Sequence, residues 1–148
     1  MFANPPYKRP ESVLVVVYTL DTQVLVLERV HPTGYWQSVT GSLEADESPD
    51  QAAFRELQEE LGWAPTKNDK LIAHLRSNQF LILPEWRARY APEVKYNTEY
   101  VFSVCLDASI PVTLNPEEHK AYTWLDRAHA IARVNSETNK QAIRDWVL

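Results

Sequence analysis

The amino-acid sequence predicts an α/β fold, a mixed β-sheet flanked by helices, and three observations carry that prediction. Residues 11–18, ESVLVVVY, are β-branched and mostly apolar, as suits a strand buried on both faces. Ser48-Pro49-Asp50-Gln51 reads as a helix start, with Ser48 as N-cap, Pro49 at the first helical position and Gln51 able to close a capping box. The order of elements, an early strand pair, a loop, a helix, later strands and two closing helices, does not form regular βαβ repeats.

The elements follow in order. Gln23 to Arg29 alternates well enough to partner the first strand after a turn at Asp21-Thr22, and a short strand is expected around Trp36 to Thr40. The helix from Pro49 to Leu61 stops at Gly62, which can adopt the left-handed conformation that ends helices. Further strands are expected at Leu71 to Arg76, Gln79 to Leu83, Tyr96 to Leu106 and Tyr122 to Leu125. Two helices, from about Asp126 to Val134 and from Ser136 to Val147, close the chain. No repeat or linker interrupts the 148 residues, which are expected to form one domain.

Composition narrows the function. The longest apolar run, Val13 to Tyr18, is far short of the roughly 20 residues that cross a bilayer, and the stretch MFANPPYKRPES has no apolar core for secretion. No membrane association and a cytoplasmic location are therefore expected. Cys105, the single cysteine, forbids an internal disulfide or a cysteine-rich zinc site, and an apolar strand makes it a small core residue. The three glycines, Gly34, Gly41 and Gly62, cannot build a glycine-rich phosphate cradle. Residues 41–63 hold seven of the twenty acids and one base, Arg55, so this segment carries −6 while the rest of the chain carries +1. Without a basic stripe, no nucleic-acid partner is expected.

On the helix from Pro49, Glu56, Glu59 and Glu60 fan across roughly 100° beside an apolar stripe of Ala53, Phe54, Leu57 and Leu61. Carboxylates at i, i+3 and i+4 repel one another. Arg55 offers one compensating charge, and a divalent cation with oxygen ligands offers the rest; Mg²⁺ is commonly held by one or two carboxylates plus substrate phosphates. A solvated charged face is the alternative reading of the same residues.

The spacing decides between them. From Gly41 the chain reads G-x5-E-x7-R-E-L-x-E-E-x-G-W, with Glu47, Arg55, Glu56, Leu57, Glu59, Glu60, Gly62 and Trp63 at the fixed places. This resembles the Nudix box, with Trp63 where an aliphatic residue is usual. The resemblance implies an α/β/α sandwich and a pyrophosphohydrolase in which Glu56, Glu59 and Glu60 ligate Mg²⁺, with Mn²⁺ as an alternative, or position the attacking water. It implies that Arg55 holds Glu56 or Glu47 by a bidentate contact, and that Thr40 presents its backbone near the metal. Gly41 lets the chain approach closely there.

Blocks outside the box, among them Tyr7-Lys8-Arg9-Pro10, Trp36-Gln37-Ser38-Val39-Thr40-Gly41, Asn97-Thr98-Glu99 and Glu118-His119, resemble the bacterial branch of the Nudix family that hydrolyses dihydroneopterin triphosphate. By that resemblance the substrate is a small-molecule triphosphate. Nucleoside triphosphate or dinucleoside polyphosphate hydrolysis is the alternative within the family, and a fold kept only for binding is the alternative outside catalysis. Lys8 and Arg29 would contact the triphosphate, and Glu118 would be a further metal ligand, with Glu117 beside it as the competing choice. Phe80, Leu81, Ile82 and Leu83 would lie against the substrate with Ser136 nearby, although the branch is expected to carry a carboxylate and a second aromatic where Leu81 and Leu83 stand. Trp36, Phe80, Trp86 and Tyr90 are candidates for the wall of a pterin pocket, with core packing the favoured reading for each, since most aromatics in a domain of this size simply pack. His31, His74, His119 and His129 show no metal-cluster spacing and read as structural or exposed. Monomer and homodimer both remain open.

Overall fold

A computed structural model describes residues 7–63, 65 and 70–148. Residues 1–6, part of the N-terminal stretch read above, lie outside the described residues. The sheet contains β1 (Glu11–Thr19), β2 (Gln23–Arg29), β3 (Trp36–Gln37), β4 (Val39–Ser42), β5 (Leu71–Leu81), β6 (Tyr96–Leu106) and β7 (His119–Asp126). Among the described residues, three α-helices, α1 (Pro49–Leu61), α2 (Arg127–Arg133) and α3 (Glu137–Trp146), pack around it. None of the described helices is long and apolar enough to cross a membrane.

The mixed character of the sheet comes from its centre. β6 runs parallel to β1 along the whole of one edge, from Glu11 opposite Thr98 to Thr19 opposite Leu106. The other edge is shared: β4 lies antiparallel to residues 12–15, while β2 meets β1 only at Tyr18 and Val24. The expected β1–β2 hairpin is therefore a corner. Beyond it, β2 diverges to pair antiparallel with β7 and, at its end, with β3.

Alternation along β1 sorts the core into two layers. Val13, Val15 and Val17 pack with Ala53, Leu57 and Leu61 of α1. Leu14 and Val16 pack with Ala130 and Val134 at α2 and with Ala142 and Ile143 of α3. Helices thus cover both faces, which is why β1 reads as an unbroken apolar run.

Several boundaries differ from expectation. The strand expected around Trp36 to Thr40 is two short strands, because β3 pairs with β2 and β4 with β1. The two strands expected between 71 and 83 are one, β5, whose pairing with β6 shifts register between Ala73 and Ser77. Leu75, at φ 50° and 99% exposed, bulges out of this edge strand and breaks its alternation. Pro84 opens an unexpected 3₁₀ helix, Pro84–Arg89. Cys105 is half-buried, not a full core residue.

On α1, Ser48 accepts from the Gln51 backbone N–H and the Gln51 side chain accepts from that of Ser48, at 3.2 and 2.9 Å. Gly62 closes the helix at φ 64°. The buried arc includes Ala52, Ala53, Glu56, Leu57, Glu60 and Leu61, whereas Phe54 is exposed. That arc is rotated toward the acids relative to the expected stripe, carrying two glutamates inside.

Candidate active site

The acids are organised by Arg55. Its Nε and one terminal nitrogen donate to the two oxygens of Glu47 at 2.7 and 2.9 Å, a bidentate pair. Its other terminal nitrogen donates to Glu56 at 2.7 Å and Glu59 at 3.0 Å, so these carboxylates stand side by side. A further bond reaches the Ser42 carbonyl at 3.0 Å, tying α1 to β4. Glu47 also accepts from the Glu44 backbone N–H, and Arg9 donates to the carbonyls of Glu44 and Glu47, which fixes the loop between β4 and α1.

Gly41 determines how close this helix comes. A Cβ placed there would lie 2.1 Å from Glu56 Cδ, so the Glu56 carboxylate occupies the space a side chain would need. Glu56 and Glu60 are 7% and 2% exposed. Burial pushes the Glu56 carboxyl up, against the pull of Arg55. Burial together with the negative charges of Glu56 and Glu118 pushes Glu60 well above the ordinary carboxylate value, while the Thr40 backbone N–H pulls it back. Glu60 Oε2 has no hydrogen-bond partner.

Two distant segments complete the cluster. Ligand atoms of Glu60, Glu118 and His119 lie within 4.8 Å of one another. The turn before β7 delivers Glu118, whose carbonyl accepts from the Val30 backbone N–H at 2.9 Å. The β2–β7 register shifts at Glu28/Arg29, where Arg29 faces His119, and such a shift re-aims side chains. Burial and the Arg29 charge push the His119 imidazole down to about 4, leaving it neutral. His119, read from sequence as structural or exposed, is therefore a buried member of the acid cluster. Its one sequence signal was adjacency to Glu118.

The cluster lines a cavity of about 820 Å³. Lys8, Arg29, Thr40, Phe80, Leu81, Ile82, Leu83 and Ser136 all line it, as do Glu56, Glu60, Glu117 and Glu118. Arg55 and Glu59 are not among its lining residues; Arg55 acts behind the acids, and Glu59 is exposed. Lys8 is placed by its backbone N–H, which donates to the Arg89 carbonyl at 2.8 Å. Desolvation and the neighbouring charges of Arg89 and Arg29 lower the Lys8 pKa, and Glu56 and Glu118 raise it. Arg29 donates to the His31 carbonyl and lies 5.3 Å from the centre of the Trp86 ring, which itself meets Tyr35 edge-on.

Phe80, Trp86 and Tyr90 line the cavity, but Trp36 does not. Its ring lies beneath the Arg133 guanidinium at 4.8 Å and packs on the α2–α3 side of the sheet. Ser136 is held at the cavity by two reciprocal clamps. Asn135 exchanges bonds with the Trp36 backbone at 2.8 and 3.0 Å. Asn139 accepts from the Ser38 backbone and donates to its hydroxyl, at 2.8 and 2.9 Å. Sequence reasoning did not single out these asparagines, because their partners lie about a hundred positions away.

A family model described as NUDIX domain matches residues 8–147. The chain is 43% identical over 144 residues to a dihydroneopterin triphosphate diphosphatase of Escherichia coli (strain K12), covering 96% of this chain and 95% of the relative. It is 36% identical over 149 residues to the protein of that name from Haemophilus influenzae, covering 99% and 92%. The solved structure of the E. coli dihydroneopterin triphosphate pyrophosphohydrolase matches with a TM-score of 0.90 at 43% identity, covering 95% of this chain and 97% of that one. The matched residues include Gly41 and the acid-bearing helix gripped by Arg55, and the chain belongs to the NUDIX domain family.

Proposed function

We propose that the protein hydrolyses dihydroneopterin triphosphate to dihydroneopterin monophosphate and pyrophosphate, with Mg²⁺ as its metal and Mn²⁺ as a substitute. The observation that carries this reading is one cavity lined together by the buried carboxylates Glu56 and Glu60, by the cations Lys8, Arg29 and Arg89, and by aromatic and polar side chains. The donor set suits a hard divalent cation, since Glu60 Oε2 is buried without a partner and Glu118 and His119 stand beside it. Bound there, such an ion supplies charge neutralisation for phosphate oxygens and acidifies a water.

Glu56, Glu59, Glu60 and Glu118 are the residues assigned to hold it. Arg55 keeps Glu47 and Glu56 in register. Lys8 and Arg29, with Arg89 alongside, take the phosphate oxygens that the acids would repel. Phe80 to Leu83 and Ser136 border the organic part of the substrate, where Leu81 and Leu83 provide apolar contacts.

A substrate panel tests this. Purified protein with Mg²⁺ is expected to release pyrophosphate, not orthophosphate, from dihydroneopterin triphosphate, with a kcat/KM at least tenfold above that for any common nucleoside triphosphate or dinucleoside polyphosphate. Rapid turnover of a common nucleotide with none of the pterin triphosphate would overturn the reading.

A further inference from the structure

The cavity also holds two polar side chains for which the chemistry above has no use. Asn97 and Glu99 occupy alternate positions of β6 and so project from the same face. They are 2% and 5% exposed, and both line the cavity. Asn97 donates to the Ser12 hydroxyl at 2.7 Å, which leaves its Oδ1 without a partner; Glu99 Oε1 likewise has none. Two buried acceptors lacking donors are unfavourable unless a ligand supplies the donors. Thr138 and Asn78 act on the Glu99 carboxyl against the upward push of burial, so its setting is built from three elements.

The surroundings suit a flat ring. Phe80 pairs directly with Asn97 across β5 and β6 and lines the same cavity. Ser42, Ser12 and Glu99 form one row across β4, β1 and β6. Two interstrand spacings, about 10 Å, therefore separate the strand beside the acid cluster from Glu99, a span suited to the distance from a phosphate to the far edge of its heterocycle.

We propose that Glu99 and Asn97 form a specificity site accepting hydrogen bonds from adjacent ring-edge donors, the 2-amino group and N3–H of a 2-amino-4-oxo heterocycle such as a pterin. This rests on the pterin triphosphate reading above. Guanine presents the same edge. Adenine sets a ring-nitrogen acceptor beside its amino group, and hypoxanthine lacks the amino group, so each leaves a buried acceptor unpaired or opposed.

The experiment compares wild type with Glu99→Gln, whose amide offers donors where the carboxylate offers only acceptors. With Mg²⁺, the substitution is expected to lower kcat/KM for dihydroneopterin triphosphate 10- to 100-fold, mainly through KM, and to raise that for dATP, whose ring-nitrogen acceptor then meets a donor. Equal losses on both substrates, or no loss, would overturn the assignment. Calorimetric binding of dGTP and dITP to the wild type gives an arm independent of the variant's folding: at least tenfold tighter binding of dGTP is expected, and equal affinity overturns the inference. If the wild type fails to cleave the pterin triphosphate, the functional reading falls, while the dGTP/dITP comparison still decides the role of Glu99 and Asn97.

Discussion

Glu60 is where folding and function pull hardest against each other. Its carboxylate is buried beside Glu56 and Glu118 with one oxygen unpartnered, and its pKa is raised well above 4.5. In the unfolded chain this group ionises as pH climbs through its ordinary value, whereas in the fold it resists ionisation. The metal-free protein therefore loses stability from Glu60 as pH rises above about 4.5 and until the folded value is passed. Metal-free Glu60→Gln is expected to be more stable than wild type at pH 8, by roughly 1–3 kcal/mol, with the gap closing toward pH 5. Calorimetric melts in chelator read this difference; a variant less stable than wild type at pH 8 would contradict it. Saturating Mg²⁺ should reverse the order at pH 8, because the ion compensates a charge that glutamine lacks. The same substitution is expected to lower kcat by at least a hundredfold.

At the scale of the element, α1 was the most legible part of the chain. Its capping box and its terminal glycine stand where the spacing put them, and Arg55 grips both Glu47 and Glu56, the two partners that the family resemblance offered it. Which of its acids are buried was not legible, because that depends on how the helix rolls against β4. Gly41 sets that roll by leaving room for Glu56. Gly41→Ala is expected to displace Glu56 from the Arg55 grip, lowering kcat at least tenfold and destabilising the protein by about 1–3 kcal/mol. Far-ultraviolet dichroism should remain that of the wild type. A normal kcat in a folded Gly41→Ala protein would show that the close approach is dispensable.

At the scale of the molecule, the sheet is a partition with a different task on each side. The α1 side supplies the carboxylates of the helix, and the α2–α3 side supplies the packing that seats α3, whose N-cap is Ser136. Ile143, fully buried in the second layer, anchors α3. Ile143→Ala is expected to cost about 2–5 kcal/mol, read from the urea midpoint. Because the Asn139–Ser38 clamp depends on the seating of α3, KM should rise before kcat falls. A stability loss with both constants unchanged would separate the helix from the substrate end of the cavity.

What was readable from the amino acids alone is local in the chain. The two-faced burial of β1, the start and stop of α1, and a run of carboxylates demanding a counter-charge each follow from spacings of a few residues. Near neighbours in sequence are forced to be neighbours in space when the backbone period is known. Distant pairings settled the rest: the corner between β1 and β2, the single bulged β5, the recruitment of His119, the exclusion of Trp36 from the cavity, and the acceptor pair of Asn97 and Glu99. Each depends on a strand register or on a clamp spanning up to a hundred residues, and a side chain's chemical identity does not reveal which distant backbone will leave it unpaired.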